Sequence, residues 1–283
     1  MDLYLIIVII MLALAVSGLV VGVANDAVNF LNSALGSKAA PRYVIMTVAS
    51  VGIIVGAITS NGMMEVARSG VFHPEMFTFA EVMLLFLAVM FTNVILLDIF
   101  NTLGMPTSTT VSLVFGLLGA AVGISIFKIA NDALVTLPDG SLATMADMIN
   151  TGNAMAIIGG ILISVVIAFV CGTVVMYITR LIFSFRYQSK LKSYGAVWCG
   201  IALTAISYFA VFKGLKGTQV IPADWMSWME GHIPMMLGGL LVGWSLIMSI
   251  LSMLKVNILR ITVLAGTFSL ALAFAGNDLV NFI

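Results

Sequence analysis

Eight runs of apolar residues follow one another along the chain, at roughly 3–24, 43–61, 79–100, 108–127, 154–179, 196–212, 235–254 and 258–276. Short polar stretches separate them. Runs near 20 residues predict helices that cross a bilayer, because about 20 residues at 1.5 Å each span its hydrocarbon. They are too long for the strands of a membrane barrel, which need about 9–11 alternating residues. The pattern predicts an all-α, polytopic membrane protein.

Composition supports the same reading. Of 283 residues, 61% are hydrophobic and 8% charged, against about 25% charged in a soluble domain. The net charge is zero, which removes any case for nucleic-acid binding. The first run follows Met1-Asp2 with neither a basic segment nor a small-residue cleavage site, so it reads as a retained span and not a signal peptide. Cys171 and Cys199 both fall in predicted spans and read as buried apolar packing, not as a disulfide or metal site. No phosphate-binding P-loop, HExxH or GxSxG sequence is present, so the chain is not read as an enzyme.

Basic residues set the direction of the spans, since short loops rich in Lys and Arg stay in the cytoplasm. Lys38 and Arg42 follow the first run, Arg180, Arg186, Lys190 and Lys192 the fifth, and Lys255 and Arg260 the seventh. These loops share one side if each run crosses once. Glu65, Glu75, Glu81, Asp132, Asp139 and Asp147 fall on the other side, with Lys213 and Lys216 dissenting. The N-terminus is then outside. Short loops without a targeting segment suit a bacterial inner membrane.

Polar groups inside this apolar frame are the candidate chemistry. Ala24-Asn-Asp-Ala-Val-Asn-Phe-Leu31 recurs as Gly276-Asn-Asp-Leu-Val-Asn-Phe-Ile283, five of eight positions being identical. Each copy ends an apolar run, and the parity of the spans puts the copies on helices of opposite direction. That is the sequence mark of an inverted-repeat transporter, whose sites lie where the repeats meet. Asp26, Asp98 and Asp278 have no Lys or Arg close in sequence. Buried carboxylates without basic partners call for a cation, a proton or a strong hydrogen-bond shell. Asn29 and Asn281 recur three residues after the aspartates and share their helix face. The competing reading makes Asp26 and Asp278 helix caps.

Gly104-Met-Pro-Thr-Ser-Thr-Thr110 separates the third and fourth runs. Pro106 breaks a helix, and the hydroxyl residues after it can cap a new one. A helix N-terminus ringed by hydroxyls suits an anion without an arginine, although an ordinary capped turn has the same spacing. Asn93 and Asn101 add polar groups on the preceding run. Asn32-Ser-Ala-Leu-Gly-Ser-Lys38, with Ser33, Gly36 and Ser37, is by itself a common polar loop.

Together these elements resemble the inorganic phosphate transporter (PiT) family, whose signature Gly-Ala-Asn-Asp-Val-Ala-Asn occurs once in each half. Val23-Ala-Asn-Asp-Ala-Val-Asn29 and Ala275-Gly-Asn-Asp-Leu-Val-Asn281 are similar to it, and Pro106-Thr-Ser-Thr-Thr110 to the family's Pro-Val-Ser-Thr-Thr hairpin. Val23 and Ala275 replace the leading glycine, and Val111 stands where the family often has histidine. Order and spacing agree over roughly residues 1–127 and again over 258–283.

The resemblance implies a first repeat at 1–128, connecting elements at 129–257 and the start of a second, inverted repeat at 258–283. It also implies a re-entrant hairpin at Pro106–Thr110. Ser108, Thr109, Thr110, Asn29 and Asn281 would contact phosphate. Asp26, Asn25, Asp278 and Asn277 would bind the coupling cation, with Asp98, Asn101 and Ser37 as additional candidates. No cofactor is expected beyond Na⁺ or H⁺, and the partners are inorganic phosphate, the lipid bilayer and a second copy in a homodimer. The implied activity is phosphate import by cation symport with alternating access. A sulfate or metal-phosphate carrier of the same fold and an ion channel are the alternatives. Because the second copy occupies only the last eight residues, the chain is expected to be part of a longer protein, or one of two polypeptides that assemble together.

Three further features are set aside. Ala130-Asn-Asp-Ala-Leu-Val135 mimics the motif but lacks the Asn three residues on. The pairs Gly18/Gly22, Gly52/Gly56, Gly119/Gly123 and Gly239/Gly243 suit close helix packing. The 19 methionines read as core filler.

Overall fold

A computed structural model of the chain describes residues 3–59, 70–133, 136–137, 140–184, 187–215 and 222–277. Among them, eight helices are long and apolar enough to cross a membrane. They are α1 (Leu3–Gly36), α2 (Arg42–Thr59), α3 (Phe79–Thr102), α4 (Thr109–Ala130), α6 (Thr151–Ile182), α7 (Tyr187–Phe209), α9 (Ile233–Met253) and α10 (Ile258–Asn277). Two short helices, α5 (Met145–Met148) and α8 (Ala223–Gly231), lie in connections. Extended pairing among the described residues is confined to the isolated bridges Phe72–Ile149 and Thr136–Leu142. Each of the eight predicted runs corresponds to one long helix, and the chain is an integral, multi-pass membrane protein.

The largest difference is at the end of α1. The polar Asn25-Asp26 pair reads in the sequence as the end of the first run, yet the helix continues to Gly36. It ends only where Lys38 turns left-handed, at φ 51°. There the Ala39 amide donates to the Ala34 carbonyl and the Lys38 amide to Leu35, satisfying carbonyls that a helix end leaves open.

The chain divides into two compact units. One is built from Met1–Asp26 and Gly62–Ile167, the other from Ala27–Asn61 and Ala168–Asn277. In the first, α1 and α3 run parallel. Tyr4 meets Phe79 near their N-terminal ends, with ring centroids 5.8 Å apart, and Asn25 meets Asn101 some six turns later. Helix α4 returns antiparallel to α3, with Leu85 and Val89 packed on Leu117 and Ala121. Phe72, Phe77 and Met148 cover the end of this pair.

In the second unit, α2 and α10 run parallel and very close. A Cβ on Gly52 would fall 2.6 Å from the Phe268 carbonyl oxygen, and one on Gly56 would collide with the Leu272 carbonyl. Glycines therefore face Ala271 and Ala275 across a backbone-to-backbone contact. At Gly119, Gly123, Gly239 and Gly243 an added Cβ would meet nothing within 4 Å, so these two pairs, unlike Gly52/Gly56, do not mark close packing. Helix α7 lies on α9, where Gly200 admits Ser245 and Trp244 Nε1 donates to Ser207 Oγ at 2.9 Å. Cys199 is buried in this contact, but Cys171 lies on the exposed face of α6. That corrects its reading as core packing: α6 is an outward-facing apolar helix, and a membrane supplies its apolar surroundings.

Candidate functional site

Helix α3 ends by a mechanism written in its own residues. Gly104 takes φ +68°, which glycine adopts without strain. The Met105 amide then donates to the Phe100 carbonyl at 2.9 Å and the Gly104 amide to Asn101 at 3.0 Å. Pro106 follows and cannot continue a helix. Ser108 then caps α4, its Oγ accepting from the Val111 amide at 3.3 Å. This is the predicted break and restart. Each arm of the hairpin is long and apolar enough for a full crossing.

The hairpin tip is fastened to α1 through one side chain. Asn25 Nδ2 donates to Asn101 Oδ1 at 2.8 Å and to the Met105 carbonyl at 3.3 Å. Asn25 Oδ1 accepts from the Thr107 amide at 2.9 Å. Asn101 Nδ2 in turn donates to the Val21 carbonyl of α1 at 2.9 Å. Asn25 is 3% exposed and Asp26 4%, so both are sealed from surrounding solvent.

The asparagines explain why α1 does not stop at Asn25. An asparagine inside a helix is unfavourable when its side chain competes for nearby backbone groups. Here all of Asn25's bonds go to another element, so the helical ladder is left intact. Asp26 is thereby mid-helix, which overturns the capping reading for that residue. Asp278 and Asn281 lie outside the described residues, and Asn277 is the last residue of α10.

The remaining candidates divide by exposure. Thr109 is 2% exposed, at the first turn of α4, while Ser108 is exposed and Thr110 half-buried. Asn29 is exposed on α1 one turn after Asp26, and Asp98 is exposed on α3 one turn before Asn101. Ser37 lies at the C-terminal cap of α1, twelve residues beyond Asn25, with its Oγ 3.5 Å from the Ala34 carbonyl. The described geometry joins Asn25 and Asn101 to the residues that lead into Ser108. It does not draw Asp98 or Ser37 into that network.

Two polar links are absent from the sequence reading. Ser112 Oγ donates to Asn93 Oδ1 at 2.5 Å, tying α4 to α3 about one turn in from the cap. At the opposite end of the hairpin, Lys128 Nζ donates to Glu81 Oε2 at 2.9 Å and to the Met76 carbonyl at 3.0 Å. It also lies 5.6 Å from the centre of the Phe77 ring. Glu81 accepts from the Thr78 amide at 2.7 Å, while Thr78 Oγ1 accepts from the Glu81 amide. The Thr78-x-x-Glu81 spacing is a capping-box signal that could have located this end.

The sequence profile of the phosphate transporter family matches residues 22–233. A protein of Thermococcus kodakarensis named as a candidate phosphate permease is 26% identical over 200 residues, covering 70% of this chain and 45% of its own length. A solved structure described as the sodium-dependent phosphate transporter superposes with a TM-score of 0.62 at 16% identity, over 96% of this chain and 65% of its own. The chain thus spans less than two thirds of either relative, and the structural likeness speaks for the fold. The profile match starts at Gly22, three residues before Asn25, and takes in the whole hairpin. The chain belongs to the phosphate transporter family.

Proposed function

We propose that the protein is part of a secondary transporter that imports inorganic phosphate with Na⁺ or H⁺ by alternating access. The observation that carries this reading is the fastening of Asn25 to Met105, Asn101 and Thr107. It joins the helix that bears the buried Asp26 carboxylate to the turn that leads into Ser108, Thr109 and Thr110. In this reading the hydroxyls and amides at the start of α4 hold the oxyanion, helped by Asn29 and by Asn281 of the second copy. Asp26 and Asp278, with Asn277, hold the cation. A cation between carboxylate and phosphate removes the repulsion that would otherwise keep the two apart.

The second copy enters through α10. Phe30, four residues after Asp26, packs on Phe274, four residues before Asp278 in the sequence, with ring centroids 5.5 Å apart. A site shared by the two copies is the arrangement that an inverted repeat leads one to expect.

Helix α1, at 34 residues, is about 51 Å long, against a hydrocarbon core of about 30 Å. With α1 centred in the bilayer, Asn25 and the hairpin tip lie about 8 Å past the midplane, still inside the core. In this reading the hairpin is re-entrant, and the basic residues of the loops after the first, fifth and seventh runs put the N-terminus outside, in a plasma membrane. Binding at that depth without arginine avoids a charge that is costly in lipid.

The test is uptake of labelled phosphate by proteoliposomes of the full-length protein under an imposed Na⁺ or proton gradient. Gradient-driven uptake, competed weakly by sulfate, supports the proposal. Absence of uptake under both gradients refutes it, and equal competition by sulfate moves the substrate class. Flux at channel rates without coupling would replace the carrier with a pore.

A further inference from the structure

We infer that Asn25 and Asn101 are positioning residues, a two-part latch that holds the hairpin tip on α1, rather than ligands of the coupling cation. Two backbone groups of fixed polarity decide the orientation of Asn25. The Thr107 amide donates and must meet Oδ1, at 2.9 Å. The Met105 carbonyl accepts and must meet Nδ2, at 3.3 Å. The second Nδ2 proton then points to Asn101 Oδ1 at 2.8 Å. That contact fixes Asn101 in turn, leaving its Nδ2 for the Val21 carbonyl at 2.9 Å. The chain of donors and acceptors closes in one sense only.

The residue types follow from this geometry. Aspartate at 25 would accept from Thr107 but donate to neither Met105 nor Asn101. Aspartate at 101 would lose the bond to Val21. A cation ligand has the opposite requirement, an oxygen with lone pairs to spare and no need for donors. The latch also sits where it acts on the anion site without touching the anion. Thr107 immediately precedes Ser108, whose Oγ caps α4. Holding the Thr107 amide sets the direction in which the amides and hydroxyls of Ser108–Thr110 point. Asn25 and Asp26, adjacent in sequence and both buried, thereby divide the work: the amide orients the anion cradle, and the carboxylate serves the ion.

Two measurements on the full-length protein test this. Hydrogen exchange by mass spectrometry in lipid nanodiscs reads the latch directly, independent of what is transported. Exchange of the peptide carrying the Thr107 amide accelerates about tenfold in Asn25→Ala, in line with the loss of that hydrogen bond, and less in Asn25→Asp, whose carboxylate still accepts from Thr107. It also accelerates less in the milder Asn101→Ala, which keeps the Thr107–Asn25 bond. Unchanged exchange in all three variants overturns the latch. The second measurement rests on the function proposed above. In transport assays, Asn25→Ala and Asn101→Ala both raise the KM for phosphate, non-additively in the double variant, while half-saturation by Na⁺ or H⁺ stays as in the unmodified protein. A shifted cation half-saturation in Asn25→Ala, with none in Asn101→Ala, makes Asn25 an ion ligand and overturns the proposal. Faster exchange in a protein that moves no phosphate contradicts the transport reading and leaves the latch standing.

Discussion

Phe30 of α1 packs on Phe274 of α10, ring centroids 5.5 Å apart and planes tilted by 35°. Each ring lies four residues from the aspartate of its own copy of the repeated motif, so one aromatic contact joins α1 to α10, the helix that leads into the second copy. Shortening Phe274 to Ala removes that contact and leaves a cavity. We expect a stability loss of about 3 kcal/mol, read as a lower midpoint of thermal unfolding in detergent. A midpoint equal to that of the unmodified protein would mean that the contact carries no weight.

The α2–α10 contact predicts opposite outcomes for two glycine replacements. Gly56→Ala pushes a methyl group into the Leu272 carbonyl and to 2.8 Å from the Ala275 Cβ, costing about 1–3 kcal/mol. Gly119→Ala meets nothing within 4 Å and stabilises its helix by up to about 1 kcal/mol. Comparing the two unfolding midpoints in one detergent checks both predictions at once.

Lys128 is 2% exposed and is neutralised by Glu81. Lys128→Met removes the charge partner of Glu81, which keeps the Thr78 amide, and takes the Lys128 donor from the Met76 carbonyl. The Glu81 side chain is a quarter exposed, so water recovers part of the loss, and we expect a cost of about 2 kcal/mol, below the range for a fully buried pair. The double variant Lys128→Met, Glu81→Gln removes the stranded charge and recovers part of that stability in the same unfolding assay.

Removing the Ser108 hydroxyl takes away the cap of α4. Ser108→Ala costs about 1 kcal/mol of stability and weakens phosphate binding, whereas Ser108→Thr retains both. Calorimetric titration with phosphate distinguishes the two variants.

What the sequence discloses follows from how local each cause is. The spans are legible because an apolar run near 20 residues is its own signal, and the hairpin turn because Gly104, Pro106 and Ser108 each act on neighbouring backbone. The extent of α1 is not legible. Asn25 and Asp26 look like an end until Asn101 and Met105, some 80 residues away, supply the bonds that let the helix continue. Glu81 reads as a loop charge because charge-side rules treat each residue singly, whereas its pairing with Lys128 depends on how α3 and α4 align. Cys171 and Cys199 look alike in sequence and part company through which helix faces outward. Within the candidate site, Ser108 and the break before it were open to inspection, but the partners of Asn25 were not.

The central claim is that the Asp26 carboxylate holds the coupling cation beside an anion cradled at the start of α4. Isothermal calorimetry of phosphate binding to the purified full-length protein, with and without Na⁺ and across pH, measures it most directly for Asp26→Asn against the unmodified protein. The account predicts that the unmodified protein binds phosphate only when a cation is supplied, and that Asp26→Asn, folded by circular dichroism, loses that cation dependence and binds at least about tenfold more weakly. Phosphate binding by Asp26→Asn with unchanged affinity and unchanged cation dependence would contradict it.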